Sequence, residues 1–152
     1  MDNKKLQIEQ LDKRIELFTP ARRFPNPPTG WIRAIRLALG MSLQQLANKL
    51  AITKQSVQEI EMREKEGAIT LKSLKETARA LDMELVYGFV PKNGTLENYI
   101  DAKARELAEK IVYRTSNNMK LEDQENSKAR IKKAVNERAA IIKHELPKSL
   151  WD

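Results

Sequence analysis

The stretch Met41–Arg63, MSLQQLANKLAITKQSVQEIEMR, reads as two short helices joined by a tight turn. Ser42 is placed to cap the first helix, and Gln45, three residues on, can reach back to it as in a Ser-x-x-Gln capping box. Leu43, Leu46, Ala47 and Leu50 fall on one face at helical spacing. Ile52 fills the turn, and Thr53 caps a second helix whose Val57 and Ile60 face inward. That leaves Lys54, Gln55, Ser56, Gln58 and Glu59 outward near its N-terminal end. A short helix anchored by one face and polar on the other has the shape of an element that enters a DNA major groove. A merely solvated helix would tolerate the same residues.

Working outward toward the N-terminus, Thr29 is placed to cap a helix from about Trp31 to Leu39, with Trp31, Ile32, Ile35 and Leu39 inward and Gly40 ending it. Before it lies Pro20–Gly30, PARRFPNPPTG, where four prolines in eleven positions predict a stiff, extended connector. Arg22 and Arg23 beside Phe24 read either as an arm that reaches phosphates or the minor groove, or as two solvated arginines. Lys4–Thr19 is helical in pattern, with Ile8, Leu11, Ile15 and Phe18 spaced like a coiled-coil seam. Such a seam lies on the protein's own core or meets a second chain.

Toward the C-terminus, the charged run Arg63–Glu66 is stopped by Gly67. Thr70 then caps a helix in which Leu71, Leu74, Ala78 and Leu81 repeat at helical spacing. Four short helices therefore occupy Trp31–Asp82. The period changes at Met83–Val90, MELVYGFV, which is rich in Val, Tyr and Phe and ends at Pro91, as a strand does. A lone strand in a helical chain must satisfy its backbone elsewhere, and a second copy across a two-fold axis is the simplest partner. Glu84, Val86 and Tyr87 are the expected dimer-strand residues.

Asn93-Gly94 marks a turn, and Thr95 caps a long helix through about Tyr113 with Leu96, Ile100, Leu107 and Ile111 on one face. Thr115–Lys120 is a polar break. A last helix runs from about Glu122 to Glu145 with Ile131, Val135, Ala139 and Ile142 inward, and Pro147 stops it. Met119 and Leu121 are expected to pack into this layer. The fold class is all-α, with a four-helix domain of the helix-turn-helix kind, one short intersubunit strand and a C-terminal pair of long helices. The expected division is 1–30 (helix and connector), 31–91 (DNA-binding domain ending in the strand) and 92–152 (helical region for dimer or partner contact).

The formal charge of +7 favours a polyanionic partner, but the excess is spread. Basic residues number 6 against 4 acidic ones up to Gly30, 9 against 7 from Trp31 to Pro91, and 13 against 10 beyond. A protein that binds nucleic acid by charge alone would be more lopsided. There is no cysteine, hence no disulfide or thiolate metal site. No apolar run approaches the ~20 residues of a membrane span, and MDNKKLQIEQ lacks the apolar core of a secretory signal. The expected location is the cytoplasm, at the nucleoid. The one histidine, His144, suits the dipole at a helix end. With no nucleophile–base constellation and no phosphate loop, neither enzyme activity nor a cofactor is expected.

Trp31–Leu81 resembles the helix-turn-helix domain of the phage Cro and repressor proteins, the Xre-like class. The likeness rests on Leu46-Ala47, the turn residue Ile52, the Val57 and Ile60 pair, and the placement of Arg36 and Glu61. The resemblance implies that Arg36 pairs with Glu61, tying the first helix to the end of the recognition helix, and that Lys54, Gln55 and Glu59 read bases. Ser56 and Gln58 would lie nearer the backbone, and Gln44, Gln45, Thr53 and Arg63 complete the expected DNA-contacting set. The chemistry agrees, since Gln pairs with adenine N6 and N7, Lys with guanine O6 and N7, and Glu accepts from cytosine N4. Two positions depart from the class: Ala51 stands where glycine is usual in the turn, and Leu43 where a phosphate-binding glutamine is common. Gln44 is the expected substitute for the latter.

Across nearly the whole chain, the segments PNPPTGWIRAIR (25–36), LKETARALDMELVYGFVP (74–91), ARELA (104–108) and MKLEDQ (119–124) resemble the bacterial family called mobile mystery protein A. That resemblance implies an Xre-type regulator encoded beside a Fic-domain protein and acting as an antitoxin-like repressor of its own operon. The Fic-blocking string of Ser or Thr, three residues, then Glu and Gly or Asn does not occur. The expected partners are double-stranded DNA, a second copy of the chain and the Fic-domain neighbour. The alternative is a protein-binding antitoxin that works through its C-terminal helices. A third reading, a general nucleoid protein, is disfavoured by the near-balanced local charge.

Overall fold

The computed structural model describes residues 2–116 and 124–152. Among them are seven α-helices: α1 Asp2–Glu16, α2 Trp31–Ala38, α3 Leu43–Leu50, α4 Lys54–Glu66, α5 Leu71–Ala80, α6 Leu96–Ser116 and α7 Gln124–Glu145. No strand occurs among the described residues, and the protein is all-α. The expected residues Met119 and Leu121 lie outside the described residues. The chain forms two compact units, residues 21–88 and residues 1–20 with 89–152.

In the first unit, α2 to α5 enclose a core of Ile32, Leu46, Ala47, Val57 and Leu81, with Ile35, Met41, Leu43, Leu50, Ile60, Ile69 and Leu74 packed around it. Each large apolar side chain so buried stabilises the unit by roughly 1.5–3 kcal/mol, which short helices need because they are marginal alone. The helix starts are capped by side chains. Ser42 Oγ accepts from Gln45 N–H (3.1 Å) while Gln45 Oε1 accepts from Ser42 N–H (2.8 Å). Thr53 and Thr70 accept from Ser56 N–H and Ser73 N–H, each at 3.1 Å.

The beginning of α2 differs from expectation. Thr29 does not cap it; the N-cap is Gly30, without a side-chain cap bond of its own. The carboxylate of Glu64, from α4, accepts from Ile32 N–H at 2.8 Å instead. Gly30 has φ 87°, which favours glycine, and a Cβ there would sit 2.7 Å from that carboxylate oxygen and displace the Glu64 side chain. Trp31 and Leu39, expected inward, are more than half exposed. An eight-residue helix has only about two turns, and Ile32 and Arg36 take the inward positions. In α5, Leu71 is exposed and Thr77 is buried, its hydroxyl donating to Ser73 O at 2.8 Å.

Two further expectations are corrected by hydrogen bonding. The connector is not extended throughout, because Thr19–Arg23 forms a 3-10 turn. Pro20 fits there since a first-turn residue needs no N–H partner. Residues 83–90 form no strand within the chain. The rest of the described chain is helical and offers no edge to pair with, so the β-rich composition has nothing to complete it.

In the second unit, α6 and α7 pack through Ala104, Ala108, Val135 and Ile142. Small alanines on α6 let the branched side chains of α7 come close. After Leu146 the chain turns back in a 3-10 turn, Lys148–Trp151, which buries Leu150 and stacks Trp151 on Tyr99 at 5.6 Å between ring centroids. The expected seam is kept in part: Ile8 and Ile15 of α1, and Phe18 beyond its end, are half-buried. Leu11 is exposed, and Asp12 turns inward to accept from Leu96 N–H at 2.8 Å and Glu97 N–H at 3.3 Å. These are unpaired donors at the start of α6, and a carboxylate suits the positive end of that helix.

Candidate nucleic-acid interface

The helix α4 is fixed along one side and open along the other. Val57 is fully buried, Ile60 half-buried, and Glu61 lies beneath the surface. Arg36 Nε donates to Glu61 Oε1 at 2.5 Å, Nη2 to Oε2 at 3.3 Å, and Nη1 to Met41 O at 3.0 Å. This bidentate pair joins α2 to α4 with less than a tenth of either side chain exposed. Removing one partner of such a pair strands a buried charge and costs about 3–5 kcal/mol. Glu64, one turn further along α4, adds the bond to Ile32 N–H, so the helix is held to α2 at two successive turns.

On the open side, Lys54, Gln55, Gln58, Glu59 and Arg63 are all exposed. Glu59 and Arg63 form a loose pair at 3.7 Å across one turn, a contact that surface screening makes weak. Ser56 is half-buried and its hydroxyl lies 2.8 Å from that of Thr53. Both hydroxyls belong to the capping arrangement, which leaves them poorly placed to reach a base. Gln45 Oε1 is likewise held in its capping box. Gln44 is exposed, with Nε2 donating to Asn48 Oδ1 at 2.9 Å, which fixes the amide along the outer face of α3. Glu84, Val86 and Tyr87 are exposed away from any regular element, with Lys75 Nζ 5.8 Å from the Tyr87 ring centroid.

The sequence reading missed a cleft beside α4, about 440 Å³ in volume and lined by Thr29, Arg33, Arg36, Leu43, Gln58, Glu61, Met62 and Lys65. Gln58, Met62 and Lys65 follow one another at helical spacing along one side of α4. That spacing was available in the sequence, but nothing in the sequence set Arg33 opposite it. The role of Glu64 was hidden for the same reason, although its three-residue distance from Glu61 puts both carboxylates on the side of α4 that faces α2.

A scan against protein families matches residues 32–87 to the family described as Helix-turn-helix, a family of DNA-binding regulatory domains. No curated protein and no solved structure matches the chain. Among the described residues, no helix is long and apolar enough to cross a membrane. The match begins inside α2, takes in α3, α4 and α5, and ends within the irregular segment that follows, so residues 32–87 are similar to an Xre-type helix-turn-helix domain, which supports a DNA-binding regulator.

Proposed function

We propose that this protein is a sequence-specific repressor that binds a palindromic or near-palindromic operator as a homodimer, with α4 as the reading helix. The observation that carries this is the division of α4 itself. One side is locked by Val57, Glu61 and Glu64, while Lys54, Gln55 and Glu59 stand exposed in its first two turns. The N-terminal residues of a recognition helix are those that reach base edges. These side chains offer a guanine donor, an adenine bidentate partner and a cytosine acceptor. Residues 31–91 are the DNA-binding part in this reading, and 92–152 serve dimer or partner contact. A two-fold dimer reads half-sites about 34 Å apart.

The finer role, an antitoxin-like autorepressor of an operon with a Fic-domain protein, rests on the family resemblance of the sequence. Its test is a gel shift on the DNA upstream of the gene together with a pull-down of the neighbouring gene product. For the reading helix, Gln55→Ala is expected to weaken operator binding by ~1–3 kcal/mol and to relax preference at one base position. An equal loss on every sequence assigns Gln55 to the backbone and overturns its base-reading role.

A further inference from the structure

We infer that the cleft between α2 and α4 is a phosphate-binding site, in which Arg33 and Lys65 grip the DNA backbone beside the bases that α4 reads. The inference rests on the DNA-binding reading and adds residues that neither the motif nor the family match assigns. The cleft carries an excess of positive charge. Arg33, Arg36 and Lys65 line it against Glu61 alone, and Arg36 and Glu61 neutralise each other in their buried pair. Arg33 and Lys65 are exposed and make no ion pair or hydrogen bond among the described residues. The carboxylate of Glu64 lies nearby, bonded to Ile32 N–H, and offsets part of this excess without lining the cleft.

Three further features favour a phosphodiester over other anions. Leu43, at the cleft wall, is the first residue of α3, so the positive end of that helix dipole adjoins the site. Thr29 and Gln58 supply neutral hydrogen-bonding groups at the rim. Gln58 also lies on the exposed side of α4 close to Lys54, Gln55 and Glu59, so the cleft continues the reading surface. Leu43 has no donor in its side chain, so at this wall of the cleft a phosphate would be met by Arg33 and Lys65, beside Gln44 on the exposed face of α3.

The test is the salt dependence of DNA binding by the full chain, measured on an operator duplex and a random duplex. Arg33→Gln and Lys65→Gln are compared with the parent and with Gln55→Ala. Each cation variant is expected to bind both duplexes more weakly by the same factor and to lower the slope of log affinity against log salt by about 0.9. The parent's advantage then shrinks about threefold between 50 and 200 mM salt. Gln55→Ala is expected to leave the slope unchanged and to alter sequence preference. Both cations are exposed, and unchanged unfolding midpoints show that the variants fold. Unchanged slopes with intact parental binding overturn the phosphate site alone. A parent that binds neither duplex overturns the DNA reading and this site with it. Competition by inorganic phosphate or a mononucleotide at micromolar concentration, with unchanged DNA slopes, assigns the cleft to a free anion and overturns the backbone proposal.

Discussion

Ala51 shows how a single residue can hold a turn against its own preference. All four helices of residues 21–88 end in the same way, with a residue of positive φ followed by an amide that bonds five residues back. Met41 N–H reaches Arg36 O, Ile52 reaches Ala47 O, Ala68 reaches Arg63 O and Met83 reaches Ala78 O, at 2.8–3.0 Å. The positive-φ residues are Gly40, Ala51, Gly67 and Asp82. Glycine pays no steric cost there and aspartate tolerates it, whereas the Cβ of alanine crowds the following carbonyl. Ala51→Gly is therefore expected to stabilise the protein by about 1 kcal/mol, less the extra freedom that glycine gives the unfolded chain. Urea unfolding measures it, and a loss as large as the entropic cost of glycine, about 0.4–1 kcal/mol, means that the turn carries no strain. In the sequence Gly40 and Gly67 announced their helix ends. At Ala51 the sequence showed only that glycine was missing from its usual place, and at Asp82 nothing signalled the left-handed residue.

At the scale of elements, side chains that start or join helices across long stretches of chain were the least legible. Ser42, Thr53 and Thr70 cap helices from the adjacent position, so spacing alone reveals them. Asp12 serves α6 from 84 residues away and Glu64 serves α2 from 32 residues away, and no local pattern marks either. The pairing of α6 with α7 has a similar tie. Lys143 Nζ lies 2.8 Å from Asp101 Oδ1 and 3.2 Å from Glu97 Oε1, joining the end of α7 to the start of α6. The hydrogen bond that Lys143 donates to Asp101 raises the lysine pKa above its ordinary value; partial burial opposes this, and Glu97 reinforces it. The stabilisation is thus fully present below the ordinary lysine pKa of about 10.4 and disappears as pH rises through the raised folded value. The side chain is 40% exposed, so screening holds the contribution below about 1 kcal/mol. Lys143→Met is expected to show a constant stability deficit through neutral pH that narrows in strong alkali. A deficit independent of pH in urea titrations assigns the role of Lys143 to packing.

For the whole molecule, the proposed dimer must set two reading helices at operator spacing, and the segment 83–90 is where the chain has backbone groups left to pair. Residues 84–90 make no backbone hydrogen bond among the described residues. Val86 is 70% and Phe89 88% exposed. The composition suits a strand, and what the single chain lacks is an edge, which a second copy supplies when the two segments pair across a two-fold axis. In the proposed dimer the strand would be a tendency of the sequence that only the pairing of two copies completes. Proline at the centre of such a ladder removes an N–H donor and is tolerated only at edges. Val86→Pro is expected to convert the dimer to a monomer by light scattering, to leave the unfolding midpoint of the helices unchanged at high dilution, and to weaken operator binding more than half-site binding. A variant that stays dimeric places the interface elsewhere, and a parent that is already monomeric removes the two-fold arrangement itself.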